Sequence, residues 1–316
     1  MRVVEFTDYG PAADVLRVAD VAEPHAGPGE IRIAVRASGL SAGEVRIRSG
    51  EMRAAVTPEF PYRTGFDAAG VVDEVGEGTT GVAIGDEVFG WTTMTARGAN
   101  ADFAALSAWA PKPAAWSWAE AGGAAGAVES ATRVLDRLAV GAGDTVLVQG
   151  AAGGVGTVAV QLAVARGATV IGTASERNHE FLRSLSAVPT TYGTGLAERI
   201  HALAPSGVDA VFDCAGGALP DLVAIAGDAA RVVTIADATA AAHGVHLSDG
   251  APSDEAGKTI GNADPLAVHA LAMAVKLADE GRLRIPVAAA FPLTEAAAAH
   301  ELSESRHARG KIVLVN

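Results

Sequence analysis

The sequence predicts an α/β protein of two domains, one rich in short β-strands and one built around a doubly wound parallel sheet. Residues 1 to about 120 alternate β-type runs with Gly and Pro, as in IRIAVRASGL (31–40), AAGVVDEVG (68–76) and GDEVFG (85–90). That spacing is typical of a small barrel or sandwich. From about residue 121, Ala-rich helical stretches alternate with buried strands such as TVLVQG (145–150) and VDAVFDCAG (208–216), which indicates crossover helices on a parallel sheet. The length of 316 residues suits two such domains.

Composition narrows the class of protein and of partner. With 49% apolar and 19% charged residues the chain is globular, and its net charge of −13 disfavours nucleic acid and anionic membranes as partners. No apolar stretch is as long as a membrane span, and the segment MRVVEFTDYG does not resemble a signal peptide. The single cysteine, Cys214, excludes an intramolecular disulfide and a multi-cysteine zinc site. A cytoplasmic location is therefore the default expectation.

Outside the parallel-sheet region, local patterns predict further elements. Val3 to Thr7 is expected to form the first strand, before a turn at residues 8–11. Asp264 to Gly281 is expected to be a helix, because Pro265 suits a first helical turn and Gly281 suits a stop. The motif IPVAAAFPL, a short helix from Thr294 to Ser303 and the motif GKIVLVN would complete the chain.

A cofactor-binding turn is the strongest functional signal. Between Asp144 and Ser175, a buried strand leads into a glycine-rich turn and a helix, and a second strand follows. The length of this unit suits a dinucleotide fold, in which the helix N-terminus receives the phosphates. Gly153 would let the backbone approach a diphosphate, and Gly156 would let the helix pack closely on the strand. Ala151 replaces the first glycine of the usual pattern. The residues assigned to the cofactor here are Ala152, Gly153, Gly154, Val155 and Gly156.

The end of the second strand favours NADP over NAD. NAD sites usually carry Asp or Glu there to bind the ribose hydroxyls, but this chain has Ala174, followed by Ser175, Glu176 and Arg177. A hydroxyl and a guanidinium suit a 2′-phosphate, and Tyr192 could supply a further donor. The alternative is that Ser175 merely begins a solvated helix.

The ordered motifs SGLSAGEVRIRSG (38–50), TGFDAAGVVDEVG (64–76), AAGGVG (151–156) and RGKIVL (309–314) resemble the quinone oxidoreductase branch of the medium-chain dehydrogenase/reductase superfamily. The resemblance covers essentially the whole chain. It implies a GroES-like catalytic domain from residues 1–122 and 252–316, and a Rossmann domain from residues 123–251. It also implies a homodimer with a small-molecule acceptor.

The residues at the metal positions of the zinc-dependent relatives predict a metal-free enzyme. Those relatives need Cys near position 41 and a His-Glu pair in the segment that ends at Gly70, whereas this chain has Ser41 and Phe66-Asp67. Without zinc as a Lewis acid, oxidation of simple alcohols is not expected.

The resemblance also implies which side chains line the acceptor and the nicotinamide. Catalytic candidates are Ser41, Arg46, Tyr62 and Asp67, and Ser130, Ala215 and Ile235 are assigned to the cofactor. Ser41 stands where Asn is usual, Arg46 where Tyr or Lys often occurs, and Ser130 where Thr is frequent, which leaves the substrate open. Two side chains have a structural role as the alternative to a chemical one. Tyr62 would then be a packing residue after Phe60-Pro61, and Cys214 would be a buried packing residue and not a nucleophile.

The expected activity is direct hydride transfer from NADPH to a quinone or an α,β-unsaturated carbonyl compound. Two alternatives stay open. One is a dedicated enoyl reductase of a biosynthetic pathway, and the other is a non-catalytic NADPH-binding protein.

Overall fold

The computed structural model describes residues 1–53, 56–93, 98–251 and 264–316. The chain divides into two compact units, one formed by residues 1–126 and 271–316 and the other by residues 127–270. The first unit therefore combines two stretches of chain that lie far apart in sequence.

The first unit begins with strands that follow the expected alternation. Its strands up to residue 126 are β1 (Arg2–Phe6), β2 (Leu16–Asp20), β3 (Ile31–Gly39), β4 (Tyr62–Arg63), β5 (Asp67–Val75), β6 (Glu87–Trp91), β7 (Phe103–Leu106) and β8 (Ala108–Pro111). Its helices are α1 (Ala12–Val15), α2 (Ala42–Ser49) and α3 (Trp118–Gly122). Strand β1 lies within one residue of the strand expected at Val3 to Thr7, and it pairs antiparallel with β2 and β4.

The second unit contains the parallel sheet. Its helices are α4 (Ala125–Arg137), which starts in the first unit, α5 (Gly156–Ala165), α6 (His179–Ser184), α7 (Leu196–Leu203) and α8 (Leu219–Ala226). Its strands are β9 (Thr145–Gln149), β10 (Thr169–Thr173), β11 (Val188–Thr190), β12 (Ala210–Asp213), β13 (Val232–Thr234), β14 (His246–Leu247), β15 (Gly250–Ala251) and β16 (Asp264–Pro265). Six of them form a sheet in the order β11-β10-β9-β12-β13-β14, with every pair parallel. This is the predicted doubly wound architecture.

The last part of the chain returns to the first unit. It forms α9 (Ala270–Asp279), β17 (Val287–Pro292), α10 (Ala296–Glu304) and β18 (Lys311–Val315). Strands β17 and β18 extend a second sheet of the first unit in the order β17-β18-β3-β5-β6-β8, with β7 also paired to β3. The short helix expected from Thr294 to Ser303 is confirmed as α10 within two residues.

The expected start of helix α9 at Asp264 is wrong, because α9 begins at Ala270. Asp264 and Pro265 instead form strand β16, which pairs with β15. The Asp264 carboxylate accepts hydrogen bonds from Arg137 at 2.7 Å and from Ser248 at 2.5 Å. Contacts distant in sequence therefore override the local helix pattern. The stop at Gly281 is confirmed, since α9 ends two residues earlier and Gly281 has φ +69°.

Buried apolar side chains hold each unit together. In the first unit, Ile31, Ile33 and Val35 of β3 face inward at every second position, as an alternating strand requires. In the second unit, Leu147, Val211 and Val232 of the sheet pack with Ile200 of α7 and Leu222 of α8. Full burial of such a side chain contributes about 1.5–3 kcal/mol. In the described parts of the chain, no helix has the length and apolar character needed to cross a membrane.

Candidate functional site

The glycine-rich turn joins β9 to α5 and has the geometry that close approach of a ligand requires. Gly150 has a positive φ of +76°, and the Gly153 N–H donates to the Gly150 carbonyl oxygen at 3.0 Å. A Cβ at Gly156 would lie 2.3 Å from the Gly150 oxygen, so the helix can begin there only with glycine. A Cβ at Gly153 would meet no described protein atom closer than 3.4 Å. The glycine at 156 therefore serves packing, whereas the one at 153 leaves space on the ligand side.

The backbone donors at the start of α5 suit an anion. In the described residues, the N–H groups of Gly154 and Val155 find no acceptor. They precede a ten-residue helix, whose N-terminus carries partial positive charge. Unpaired N–H groups at such a helix end are the usual ligands of a dinucleotide diphosphate. Residues 152–156 thus fit the group assigned to them.

A buried side-chain pair that the sequence interpretation missed holds this turn. The Thr173 hydroxyl, at the end of β10, donates to Gln149 Oε1 at 2.5 Å and accepts the Gly150 N–H at 3.0 Å. Gly172, the residue before Thr173 on β10, explains why an alanine fits at position 151. Gly172 lies beside Ala151, and a Cβ at Gly172 would come within 2.8 Å of the Ala151 Cβ.

The tip of β10 presents polar groups without a carboxylate at the strand end. Ala174 follows β10, and the Ser175 hydroxyl accepts a hydrogen bond from Asn178 at 3.3 Å. Arg177 is exposed and forms no ion pair with the residues that the structure describes. Glu176 is also exposed and begins a 3₁₀ turn (Glu176–Asn178). A guanidinium without an ion-pair partner can form charge-assisted hydrogen bonds to a 2′-phosphate without first breaking another pair.

Tyr192 lies in the loop after β11, the strand next to β10, and its side chain is 58% exposed. Arg199 of α7 holds this loop through its backbone. Its guanidinium donates to the carbonyl oxygens of Thr194 at 2.8 Å and Thr191 at 2.9 Å, with longer bonds to those of Tyr192 and Gly193. The sequence interpretation missed Arg199, because four carbonyl acceptors on a loop leave no pattern in residue types.

Ala215 and Ile235 follow the neighbouring strands β12 and β13 at the same edge of the sheet. The Ala215 N–H donates to Asp213 Oδ1 at 3.0 Å, and the Ile235 N–H donates to the Asp213 carbonyl oxygen at 3.0 Å. Burial, together with the Asp213 charge, raises the pKa of the Cys214 thiol well above its ordinary value. The thiol therefore stays protonated, which agrees with the interpretation of Cys214 as a packing residue.

Ser130 lies on α4 beside a buried ion pair. Its hydroxyl donates to Glu129 Oε2 at 3.3 Å, and Arg133 donates to Glu129 Oε1 at 2.8 Å. The Ala267 N–H also donates to Glu129 at 3.1 Å. Because the Ser130 proton is directed at Glu129, its oxygen is available to accept.

Two of the four catalytic candidates of the first unit, Ser41 and Arg46, belong to one helix. Ser41 is the N-cap of α2, and its hydroxyl oxygen accepts the Gly43 N–H at 3.2 Å. Arg46, five residues further along, forms an ion pair with Glu51 at 2.8 Å. The pairing with Glu51 reduces the positive charge that Arg46 presents.

The other two candidates, Tyr62 and Asp67, lie on β4 and β5. The Tyr62 ring packs against Phe6 with ring centroids 4.9 Å apart, in line with the packing alternative. Asp67 is buried, accepts the Gly126 N–H at 3.1 Å, and has Lys311 Nζ at 3.9 Å. These contacts place Asp67 inside the unit as a support for its surroundings.

Among the described residues, no group of three or more His, Cys, Asp and Glu side chains is arranged to hold a metal ion. The metal-free expectation rests on residue types at the metal positions of the zinc-dependent relatives and remains a prediction.

Comparison with known proteins identifies relatives for both units. Residues 27–139 match the family model described as "Alcohol dehydrogenase GroES-like domain", and residues 188–314 match the one described as "Zinc-binding dehydrogenase". Together these models cover most of the chain.

Individual relatives carry names of reductases. The 2-methylene-furan-3-one reductase of Solanum lycopersicum is 34% identical over 198 residues, which are 59% of this chain and 50% of that protein. The chloroplastic NADPH-dependent alkenal/one oxidoreductase of Arabidopsis thaliana is 29% identical over 333 aligned positions, covering 99% of this chain and 79% of that protein. The match to the first of these thus spans half of that relative's length.

The solved structure of the quinone oxidoreductase from Coxiella burnetii is similar over the whole chain. It covers 100% of this chain and 99% of its own, with a TM-score of 0.80 and 29% identity.

Proposed function

Because this chain belongs to the medium-chain dehydrogenase/reductase superfamily, we propose that it is an NADPH-dependent oxidoreductase acting on a quinone or an α,β-unsaturated carbonyl compound. The observation that carries the proposal is the combination at β9 and β10. Within the described residues, the glycine-rich turn there offers N–H groups without an acceptor. The adjacent strand ends without a carboxylate, and Arg177 just beyond it has no ion-pair partner in the same part of the chain. That combination suits a diphosphate and a 2′-phosphate together.

The second unit would bind and orient the cofactor. The backbone of residues 152–156 would hold the diphosphate, and Ser175, Arg177 and Tyr192 would hold the 2′-phosphate. The loops that carry Ala215 and Ile235 would receive the nicotinamide half, and the Ser130 oxygen would accept an N–H of its carboxamide. When bound, NADPH supplies a hydride for direct transfer.

The first unit would supply the acceptor's surroundings. The Gly43 N–H occupies one lone pair of the Ser41 oxygen, so the Ser41 proton remains to stabilise negative charge on an acceptor oxygen. Arg46 and Tyr62 are proposed to line the acceptor, with Asp67 supporting them from the interior. Hydride transfer to a conjugated carbonyl needs hydrogen-bond donors to stabilise the resulting anion, which then takes a proton from water. Alcohol oxidation instead needs a base or a Lewis acid.

The test is steady-state oxidation of NADPH with panels of quinones and enones, beside reduction of NADP with a panel of alcohols, all with a chelator present. Turnover with conjugated acceptors and none with alcohols would support the proposal. Rapid alcohol oxidation would contradict it, and NADPH binding without turnover on any acceptor would favour the non-catalytic alternative. Activity confined to one enone, with one product configuration, would favour a dedicated enoyl reductase.

We also propose that the enzyme is a cytoplasmic homodimer whose domains divide near residues 122 and 251. The family resemblance supports the dimer and the division; a single cysteine supports the location. The two-residue strand β14 lies at an edge of the parallel sheet, where strands of a second subunit could pair. Light scattering at micromolar concentration should give twice the chain mass, and the mass of one chain would contradict the dimer.

A further inference from the structure

The loops after β12 and β13 are joined by a buried hydrogen-bonded pair of side chains, Asp213 and Thr234. These residues are the last of their strands and lie directly opposite each other in the parallel register. Both are fully buried. The Thr234 hydroxyl donates to Asp213 Oδ2 at 2.7 Å.

Each partner also holds the backbone of its own loop. Asp213 Oδ1 accepts the N–H groups of Ala215 at 3.0 Å and Gly216 at 2.9 Å. The Thr234 oxygen accepts those of Ala236 and Asp237, both at 3.1 Å. Since these N–H groups can only donate and a carboxylate can only accept, the direction of every bond is fixed. Asp213 and Thr234 thus lock two loops to one another.

A second connection joins the same loops nearer the surface. The Gly217 N–H donates to Asp237 Oδ2 at 2.8 Å, and Gly217 has φ +78°. Hydrogen bonds from Thr239 and Gly217 lower the pKa of Asp237, although its partial burial acts in the opposite sense. Asp213, Thr234, Gly217 and Asp237 are named the loop clamp below.

The location of the loop clamp gives it a role in cofactor binding. In a doubly wound sheet, a dinucleotide lies across the carboxyl ends of the strands, with one mononucleotide over each half. The glycine-rich turn and Arg177 follow β9 and β10, which assigns the adenosine half to the β9–β11 side. The loops after β12 and β13 therefore face the nicotinamide half.

We propose that Asp213 and Thr234 are positioning residues that set the separation of the two loops receiving the nicotinamide half. The proposal rests on the proposed function. It assigns the loop clamp an effect on one end of the cofactor and none on the other, because its side-chain hydrogen bonds join the loops after β12 and β13. The two residues touch neither the hydride nor the acceptor and act through the backbone of the loops that carry Ala215 and Ile235.

The test compares Thr234→Val with Thr234→Ser. Valine keeps the shape but removes the hydroxyl, whereas serine keeps the hydroxyl. Two ligands distinguish an effect at the nicotinamide end of the site from one at the adenosine end. NADPH spans both ends, and adenosine 2′,5′-bisphosphate occupies the adenosine end alone. Thr234→Val should raise the Kd of NADPH about ten-fold and lower kcat, with the Kd of the bisphosphate changed less than about two-fold. Thr234→Ser should restore most of both values.

A matched control is Thr132→Val on α4. Thr132 is also fully buried, but its hydroxyl has no partner within the part of the chain that the structure describes. The same substitution there should leave both Kd values and kcat unchanged. Equal weakening of the two ligands by Thr234→Val would mean a general loss of structure and would overturn the proposal, as would unchanged NADPH binding.

A second variant keeps the test informative if Thr234→Val fails to fold. Asp237→Ala removes the outer connection and the bonds from Thr239 within the same loop, and it leaves the Asp213–Thr234 pair in place. It should raise the Kd of NADPH about three-fold without affecting the bisphosphate. No change in NADPH binding there would contradict the loop clamp. A wild-type protein that binds neither ligand would defeat the proposed function itself, whereas normal wild-type binding with unchanged variants would defeat this inference alone.

Discussion

The loops of the second unit and the charged side chains of the first are stabilised by different kinds of contact. In the second unit, the side chains of Thr173, Thr234, Asp213 and Arg199 fix loops by bonding to their backbone. The charged Arg177 stays exposed and has no ion-pair partner among the described residues. In the first unit, the charged candidates are already paired, Asp67 with Lys311 and Arg46 with Glu51. A nucleotide site can thus be built from backbone shape, while an acceptor site depends on how far its charges are compensated.

The largest expected effect concerns the buried pair of the first unit. Lys311→Met would leave the Asp67 carboxylate buried without its counter-ion and should lower the free energy of unfolding by about 3–5 kcal/mol. Adding Asp67→Asn should recover part of that loss, since the double variant buries no unpaired charge. Denaturant titration measures both.

A control for the Lys311 variant is Lys276→Met, which removes an exposed cation paired with Glu280 at 4.0 Å. That change should cost less than about 1 kcal/mol. Equal losses for the two lysine variants would show that the Asp67 pair is no different from a surface contact.

A buried histidine should give the first unit a pH dependence of its own. Burial, helped by the charge of Arg48, lowers the pKa of His300 to about 3 from 6.5. The unfolded chain therefore binds a proton that the folded chain does not, and stability is lost as pH falls from about 6.5 towards 3. Between about pH 6 and pH 4 the loss should be about 2–3 kcal/mol.

His300→Leu should remove this contribution, because leucine has no group that takes up a proton. The substitution also breaks no hydrogen bond, since neither ring nitrogen has a partner among the described residues. Unfolding curves at several pH values test it. A slope as steep in the variant as in the wild type would assign the acid sensitivity to other groups.

Arg177 tests the claim that an exposed cation with no ion-pair partner among the described residues of the second unit is available to bind the cofactor. Arg177→Ala should weaken NADPH by about 1.5–3 kcal/mol, ten-fold to a hundred-fold, and leave NADH nearly unchanged. Arg183→Ala is the matched control, since Arg183 pairs with Glu180 on the adjacent helix α6. Fluorescence titration distinguishes the outcomes: equal loss for both cofactors would make Arg177 structural, and no loss would place the phosphate elsewhere.

The smallest effect should come from releasing Arg46. Glu51→Gln removes the counter-charge at 2.8 Å and should improve kcat/KM for acceptors that carry a carboxylate by about two- to five-fold. Neutral acceptors should be unaffected. Improvement of both kinds alike would mean that Glu51 acts on access and not through the charge of Arg46.

Sequence patterns succeeded where short-range geometry decides the structure. The turn at Gly150 to Gly156 and the end of β10 just before Ala174 follow from local rules on glycine, helix ends and strand ends. The prediction for the start of α9 failed for the opposite reason, because the Asp264 carboxylate pairs with Arg137, 127 residues away.

The supporting residues of the site escaped sequence analysis for the same physical reason. Asp213 and Thr234 each end a buried strand, a placement that could have marked them as polar groups at the ligand edge of the sheet. Their pairing across 21 positions, however, is set by strand register. The role of Arg199 could not be predicted from residue types, since its hydrogen-bond acceptors are backbone carbonyl oxygens, which every residue has.

The most direct test of the central claim follows the hydride itself. NADPH deuterated at the transferring position of the nicotinamide is incubated with the protein and a conjugated enone, and the product is analysed by NMR. The account predicts deuterium bound to the carbon β to the carbonyl, with no dependence on added chelator. Deuterium on the carbonyl carbon, or no label in the product, would contradict direct hydride transfer to the conjugated double bond.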